Sequence, residues 1–186
     1  MHKNFPNKFY FINSFTKNNI DKLDNNTGII YRNYNNSLNV REILKIKKYC
    51  SKKRIKFYLS NYYKIAVKLG LDGVYIPSFN KDFRHLSYSN KRSFLILGSA
   101  HNIKEMRIKE IQNVSSIFIS SIFKKNKNFL GIYKFIKLKK LTKRKVIALG
   151  GISKSNQKKL NLISIDGFSG ISYFEQKKGP SKGAFN

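Results

Sequence analysis

Eight short apolar runs recur along the chain at a spacing that few folds accommodate. They are Lys8 to Ile12 (KFYFI), Gly28 to Tyr31 (GIIY), Ile55 to Leu59 (IKFYL), Gly73 to Ile76 (GVYI), Phe94 to Leu97 (FLIL), Ser116 to Ile119 (SIFI), Lys145 to Leu149 (KVIAL) and Gly167 to Ile171 (GFSGI). Their first residues lie 20, 27, 18, 21, 22, 29 and 22 positions apart. Each interval has room for a strand, a loop, a short helix and a return loop. Strands that are apolar along their whole length belong in a parallel sheet covered on both faces. Eight such units predict a single closed (β/α)8 TIM barrel with shortened helices, rather than a doubly wound sheet.

Most intervals read as helices. Val40 to Tyr49 puts Val40, Ile43, Leu44 and Ile46 on one stripe, with Lys45, Lys47 and Lys48 largely elsewhere. Tyr63 to Leu69 and Asn102 to Ile111 behave similarly, and Ser153 is the expected N-cap of a helix running towards Leu162. The interval from Ser14 to Thr27 is rich in Asn and poorly periodic, so its helix is expected to be short or absent. An internal echo supports the barrel. LGLDGVYI (Leu69 to Ile76) and ISIDGFSGI (Ile163 to Ile171) each carry Asp-Gly into a strand, four units apart, as a duplicated half-barrel would place them. With no break in composition, residues 1–186 read as one domain, ending in a flexible C-terminal tail over 175–186.

Charge matters at this point, because 38 Lys and Arg against 9 Asp and Glu give a formal net charge of +29. Such a balance suits nucleic acid. The cations, however, are 31 Lys against 7 Arg in a chain that also holds 21 Asn and 23 Ile, the bias of an AT-rich coding sequence. Most of the charge therefore reads as a solvated lysine coat. Specific nucleic-acid binding is disfavoured further because the aromatics sit inside the apolar runs instead of alternating with basic residues. The single Cys50 excludes an intrachain disulfide and a thiolate zinc cluster, and fits a reducing compartment. No apolar run is long enough to span a membrane, and the first residues lack the apolar core of a signal peptide, so a cytoplasmic location is expected.

In such a barrel, chemistry belongs at the carboxyl ends of the strands. The polar residues that follow the eight runs are Asn13 and Ser14; Arg32 and Asn33; Ser60 and Asn61; Ser78; Ser99 and His101; Ser120 and Ser121; Gly150 and Gly151; and Ser172. No carboxylate is among them. The sharpest signal is KVIALGGIS, where a strand enters two glycines and then an expected helix start, so that backbone N–H groups face the rim. Together with Ile171 and Ser172 after the eighth strand, Gly150 and Gly151 form a candidate phosphate site. A turn without a ligand is the simpler alternative. His101, with Ser99 beside it, is a candidate acid or base, against a purely capping role. Lys124, Lys125 and Lys127 could cover an anionic ligand or form a solvated loop.

Taken in order, these loop motifs resemble the thiamine phosphate synthase and TenI family, a single (β/α)8 barrel. The likeness runs from FYFINSF to DGFSGISYF and is most specific in KLGLDGVYI, GSAHN and KVIALGGIS. Where the synthases have Q-L-R-E-K after the second strand, this chain has IYRNY. Arg32 is kept as a substrate-binding candidate, while Ile30 and Tyr34 replace the Gln and Lys. The synthases' N-D-R becomes Asn61, Tyr62, Tyr63, and H-L-G-Q-x-D becomes Tyr75 to Asn80. Both carboxylates that hold Mg²⁺ in the synthases are thus missing, unless Asp82 takes over one role. The loop over the thiazole phosphate is replaced by KKNKN. Gly150, Gly151, Ile171 and Ser172 remain at the phosphate end, Ser99 and His101 beside the reacting centre, and Asn61, Lys124, Lys125 and Lys127 as substrate-binding candidates.

The resemblance implies a role in thiamine biosynthesis or salvage, with a small phosphorylated thiazole or pyrimidine as ligand. TenI-like proton transfer is favoured, because a tautomerase needs only an acid-base group and a phosphate anchor. It implies no metal or other cofactor, with Mg²⁺ required only if synthase activity is retained. A working synthase and a non-catalytic ligand-binding barrel are the alternatives. A homodimer is compatible with this reading.

Overall fold

The structure is a computed structural model that describes residues 5–34, 37–89 and 91–175. Apart from Glu175, the tail expected at 175–186 lies outside the described residues. Eight strands close into one barrel: β1 Lys8–Ile12, β2 Thr27–Tyr31, β3 Lys56–Ser60, β4 Gly73–Ile76, β5 Leu95–Ala100, β6 Ser116–Ser120, β7 Lys145–Leu149 and β8 Gly167–Ser169. Each pairs in parallel with the next, and β8 returns to β1 with Lys8 opposite Phe168 and Phe9 opposite Ser169. The helices are α1 Lys17–Asp21, α2 Val40–Lys52, α3 Tyr63–Lys68, α4 Ile103–Ile111, α5 Gly131–Lys140 and α6 Ile171–Phe174. Among the described residues, none is long and apolar enough to cross a membrane.

Inward side chains fill the barrel. Phe9, Phe11, Ile30, Tyr58, Tyr75, Leu97, Phe118 and Ile147 form one buried cluster. Near the carboxyl end, the Phe11, Tyr75 and Phe118 rings stack edge to face, with centroids 5.1 Å apart for Phe11–Tyr75 and 5.4 Å for Tyr75–Phe118. This aromatic layer is the floor beneath the mouth. Outward side chains form two further clusters under the helices. One covers the first four strands and includes Ile43, Ile46 and Cys50 of α2; the other covers the last four and includes Met106 and Phe135. On α2 the buried stripe is Ile43, Ile46 and Cys50, while Val40 and Leu44 of the expected stripe are exposed. Burial pushes the Cys50 thiol up to about 12, so the thiolate is disfavoured.

The two halves repeat at the amino-terminal face. Asp72 Oδ2 accepts from the Phe57 N–H at 3.0 Å, and Asp166 Oδ2 accepts from the Val146 N–H at 2.8 Å. In each case the Asp reaches back to the second residue of the preceding strand. The sequence echo therefore marks a structural stitch, far from the mouth.

Two expectations are corrected. The eighth strand ends at Ser169, and Ile171 opens α6 instead of closing the strand. Ser153 caps no helix. The Asn156 side chain folds back, accepting from the Ser153 N–H at 2.9 Å and donating to the Gly151 carbonyl at 2.8 Å. That closed turn delays helical structure to a short 3₁₀ segment at Gln157–Leu162, so no α-helix dipole points at the rim from Gly151. Between β4 and β5 there is likewise only a 3₁₀ turn, Arg84–Ser87.

Candidate functional site at the carboxyl rim

His101 lies between β5 and α4, and two contacts fix it. Asn102 caps α4 by accepting from the Glu105 N–H at 3.0 Å, and Glu105 reaches back to accept from the His101 N–H at 2.7 Å. The ring Nδ1 lies 3.0 Å from both the carbonyl oxygen and the hydroxyl of Ser120, at the end of β6. A carbonyl can only accept, so its contact is a hydrogen bond in the tautomer with the proton on Nδ1, the form in which Nε2 of the neutral ring keeps a lone pair. Ser99 is buried near the end of β5, beside β4, where burial suppresses the acidity of the Tyr75 phenol.

The glycine turn has the backbone that the sequence suggested, without the helix. Gly150 and Gly151 have φ of 103° and 75°, in the region that favours glycine. A Cβ on Gly151 would lie 2.5 Å from the Lys124 backbone nitrogen, and one on Gly170 would lie 2.6 Å from the Ile152 carbonyl. The loops after β6, β7 and β8 are therefore pressed together. Among the described residues, no carbonyl accepts from the backbone N–H of Gly151 or Ile152. Lys124, Lys125 and Lys127 are exposed on a loop that closes on itself through Ser121 N–H to Asn128 O, 2.9 Å, and Leu130 N–H to Ser121 O, 2.9 Å.

On the opposite side of the mouth, a cavity of about 560 Å³ opens between the ends of β1 and β2 and helix α6. Phe11, Asn13, Arg32, Tyr34, Ile171 and Glu175 contribute to its lining. Arg32 lies with its guanidinium 4.6 Å from the centre of the Phe11 ring, a cation-π contact that holds it over the floor. Glu175 accepts from the Tyr10 hydroxyl at 2.6 Å. The cavity unites Arg32 with Ile171, but Ser99, His101, Gly150 and Gly151 are outside its lining. Ser172, the second residue of α6, is exposed next to Ile171.

The quarter of the rim formed by β2, β3 and β4 satisfies itself. Tyr34 and Ser60 share a hydrogen bond of 2.6 Å between their hydroxyls, and the Tyr34 ring meets Phe79 edge to face at 5.6 Å. The Asn80 amide donates to Asn61 Oδ1 at 2.6 Å, with Asn61 itself at φ 67°. Behind Asn80 lies a group that sequence reasoning missed. Lys109 of α4 is fully buried, and its ammonium donates to the Asn80 carbonyl at 2.7 Å and to Gln112 Oε1 at 2.8 Å. Its spacing could have revealed it, because Lys109 lies three residues after the buried Met106, on the same face of α4. Ser120 was visible as a rim residue, but only the fold makes it the partner of His101.

These residues do not suit Mg²⁺. A hard divalent cation needs carboxylate and carbonyl oxygens around one point, whereas the aligned positions hold Tyr62 and Asn80. Asp82 is committed elsewhere: its carboxylate accepts from Arg84 Nε at 2.7 Å, and Arg84 holds it down at about 2. Among the described residues, no group of three or more His, Cys, Asp or Glu could hold a metal.

A sequence profile of the thiamine monophosphate synthase family matches residues 23–174, most of the chain. The chain belongs to this family. A thiamine-phosphate synthase from Pelagibacter ubique is 28% identical over 134 residues, covering 67% of this chain and 64% of that protein. One from Methanobrevibacter smithii is 29% identical over 145 residues, covering 74% and 68%. The chain thus aligns with about two-thirds of the length of these relatives. A thiamine phosphate pyrophosphorylase from Pyrococcus furiosus shares the fold, with a TM-score of 0.72 and 19% identity, covering 89% of this chain and 86% of that one.

Proposed function

We propose that this family member binds a phosphorylated thiazole at the carboxyl rim and moves a proton on it, in the manner of the TenI proteins. The observation that carries the reading is the His101 ring, held at Nδ1 by Ser120 so that Nε2 is left as the base. In a tautomerisation, Nε2 takes a proton from one position of the ring system and returns it to another, so no co-reactant is consumed. While the imidazole is protonated, the Ser120 carbonyl stabilises it through the bond from Nδ1–H. The Gly151 and Ile152 N–H groups, with Ser172, are the proposed phosphate anchor, with Arg32 and the loop bearing Lys124, Lys125 and Lys127 as supporting cations. Asn61 is tied up by Asn80, so its proposed part in substrate binding is to shape the rim.

The test is the tautomer ratio of a phosphorylated thiazole carboxylate followed by proton NMR. His101→Ala should slow conversion by about 10²-fold, the usual contribution of a positioned acid-base group. Turnover that survives His101→Ala removes this role. A second reading, the transferase activity named for both relatives, is favoured by those likenesses. It requires thiamine phosphate to accumulate from pyrimidine diphosphate, thiazole phosphate and Mg²⁺. No product at high protein concentration rejects it.

A further inference from the structure

The rim is asymmetric in a way that limits what it can take. We infer that Tyr34 is a specificity-determining gate that restricts this site to a single ring bearing one phosphate and turns away diphosphates. This rests on the proposed function and deepens it.

Tyr34 begins just beyond β2 yet bonds at 2.6 Å to Ser60, 26 residues later at the end of β3, so its side chain bridges two loops. Its ring packs edge to face on Phe79 from the β4 loop, which makes the bridge a two-ring wall. The 560 Å³ cavity stops at that wall: Tyr34 lines it, and no residue from the end of β3 or β4 does. Behind the wall, Asn61 and Asn80 bond to each other at 2.6 Å, and the Lys109 ammonium is spent on the Asn80 carbonyl and Gln112. Asn61, Asn80 and Lys109 are therefore committed to one another and to Gln112, not to a ligand beyond the wall.

Charge inside the cavity leads to the same limit. Among the described residues, its lining holds one cation, Arg32, and one carboxylate, Glu175. A guanidinium pairs well with one phosphate group. A diphosphate adds negative charge that Glu175 opposes, and among the described residues no group of three or more His, Cys, Asp or Glu could recruit a compensating metal ion. Lys109 acts through the wall as a positioning residue, since its bond to the Asn80 carbonyl holds the loop that carries Phe79.

The experiment compares thiazole phosphate with pyrimidine diphosphate, and inorganic phosphate with pyrophosphate, by calorimetric titration of the full chain. The proteins are wild type, Tyr34→Phe, Tyr34→Ala and Phe79→Ala, with circular dichroism confirming that each variant folds. Both rings are partly exposed, so truncation leaves the core intact. Wild type should prefer the monophosphate by about tenfold or more, and Tyr34→Ala should reduce that preference by about tenfold, with Phe79→Ala moving the same way. Tyr34→Phe keeps the ring and loses only the bond to Ser60, so it should fall between. A wild-type protein that binds diphosphate as tightly as monophosphate overturns the gate, as does an unchanged preference in Tyr34→Ala. Failure of thiazole phosphate to bind overturns the functional reading instead. In that case the ratio of pyrophosphate to phosphate affinity still decides the gate, which stands only if Tyr34→Ala raises it.

Discussion

Gly70 and Gly73 stand three residues apart and require glycine for different reasons. Gly70 ends α3 with φ +58°, and a Cβ there would meet only the tip of Lys47 at 3.6 Å. Gly70→Ala should therefore cost about 1 kcal/mol, the price of a left-handed backbone for an L-residue. At Gly73 the backbone is unremarkable, but a Cβ would fall 2.0 Å from the Leu95 carbonyl oxygen of the adjacent strand. Strand backbone cannot yield as a lysine tip does, so Gly73→Ala should cost about 3 kcal/mol. Urea unfolding of the two variants checks the order, and equal losses would mean that the barrel relaxes at this seam. The Asp-Gly pairs were legible in the sequence as an echo. Their use was not, since only strand pairing brings Asp72 to Phe57 and Asp166 to Val146. His101 shows the same divide: its place after β5 follows from the strand pattern, while the partner of its Nδ1 is Ser120, 19 residues later.

Helix α4 joins the two halves of the rim. Its N-terminus holds His101 through Glu105, and its last turn holds the β4–β5 loop through Lys109 and Gln112. Desolvation pulls the Lys109 ammonium down from 10.5 to about 8, while the Glu105 carboxylate acts against that shift. The His85 ring, also buried here, bonds to the Gln112 carbonyl at 2.8 Å. Between pH 8 and 10.5 the unfolded chain keeps a proton on this lysine that the folded chain has released. Stability therefore rises with pH across that window, with an amplitude on the order of 1–3 kcal/mol. Urea midpoints at pH 7.5, 9 and 10 should show the rise in wild type and a flatter profile in Lys109→Met. Matching profiles would mean that the ammonium is solvated in the folded protein. Helix periodicity located α4, α2 and α3 to within a few residues. It failed after β7, where the Asn156 side chain satisfies the turn and displaces the expected helix start.

A barrel whose chain carries +29 holds its outer lysines against one another. Among the described residues there are only five ion pairs, all partly open to solvent, so pairing offsets little of that repulsion. Raising NaCl from about 10 mM to about 300 mM shortens the Debye length severalfold, and should stabilise the fold by on the order of 1 kcal/mol, or about 2–4 °C in Tm. A Tm that falls over this range would show that attractive pairs outweigh the repulsion. By itself the sequence determined the architecture and the family. Strand spacing and unbroken apolar runs are local properties, and parallel strands covered on both faces have few ways to close. The motifs around Gly150, Gly151 and His101 likewise keep their meaning as strings of residues. Only the tertiary structure decided the state of the mouth. Tyr34 meeting Ser60 and Phe79, Asn61 meeting Asn80, and Lys109 beneath them join residues 19 to 45 positions apart. Such contacts depend on how loops lean across a closed rim, which no periodicity in the chain encodes.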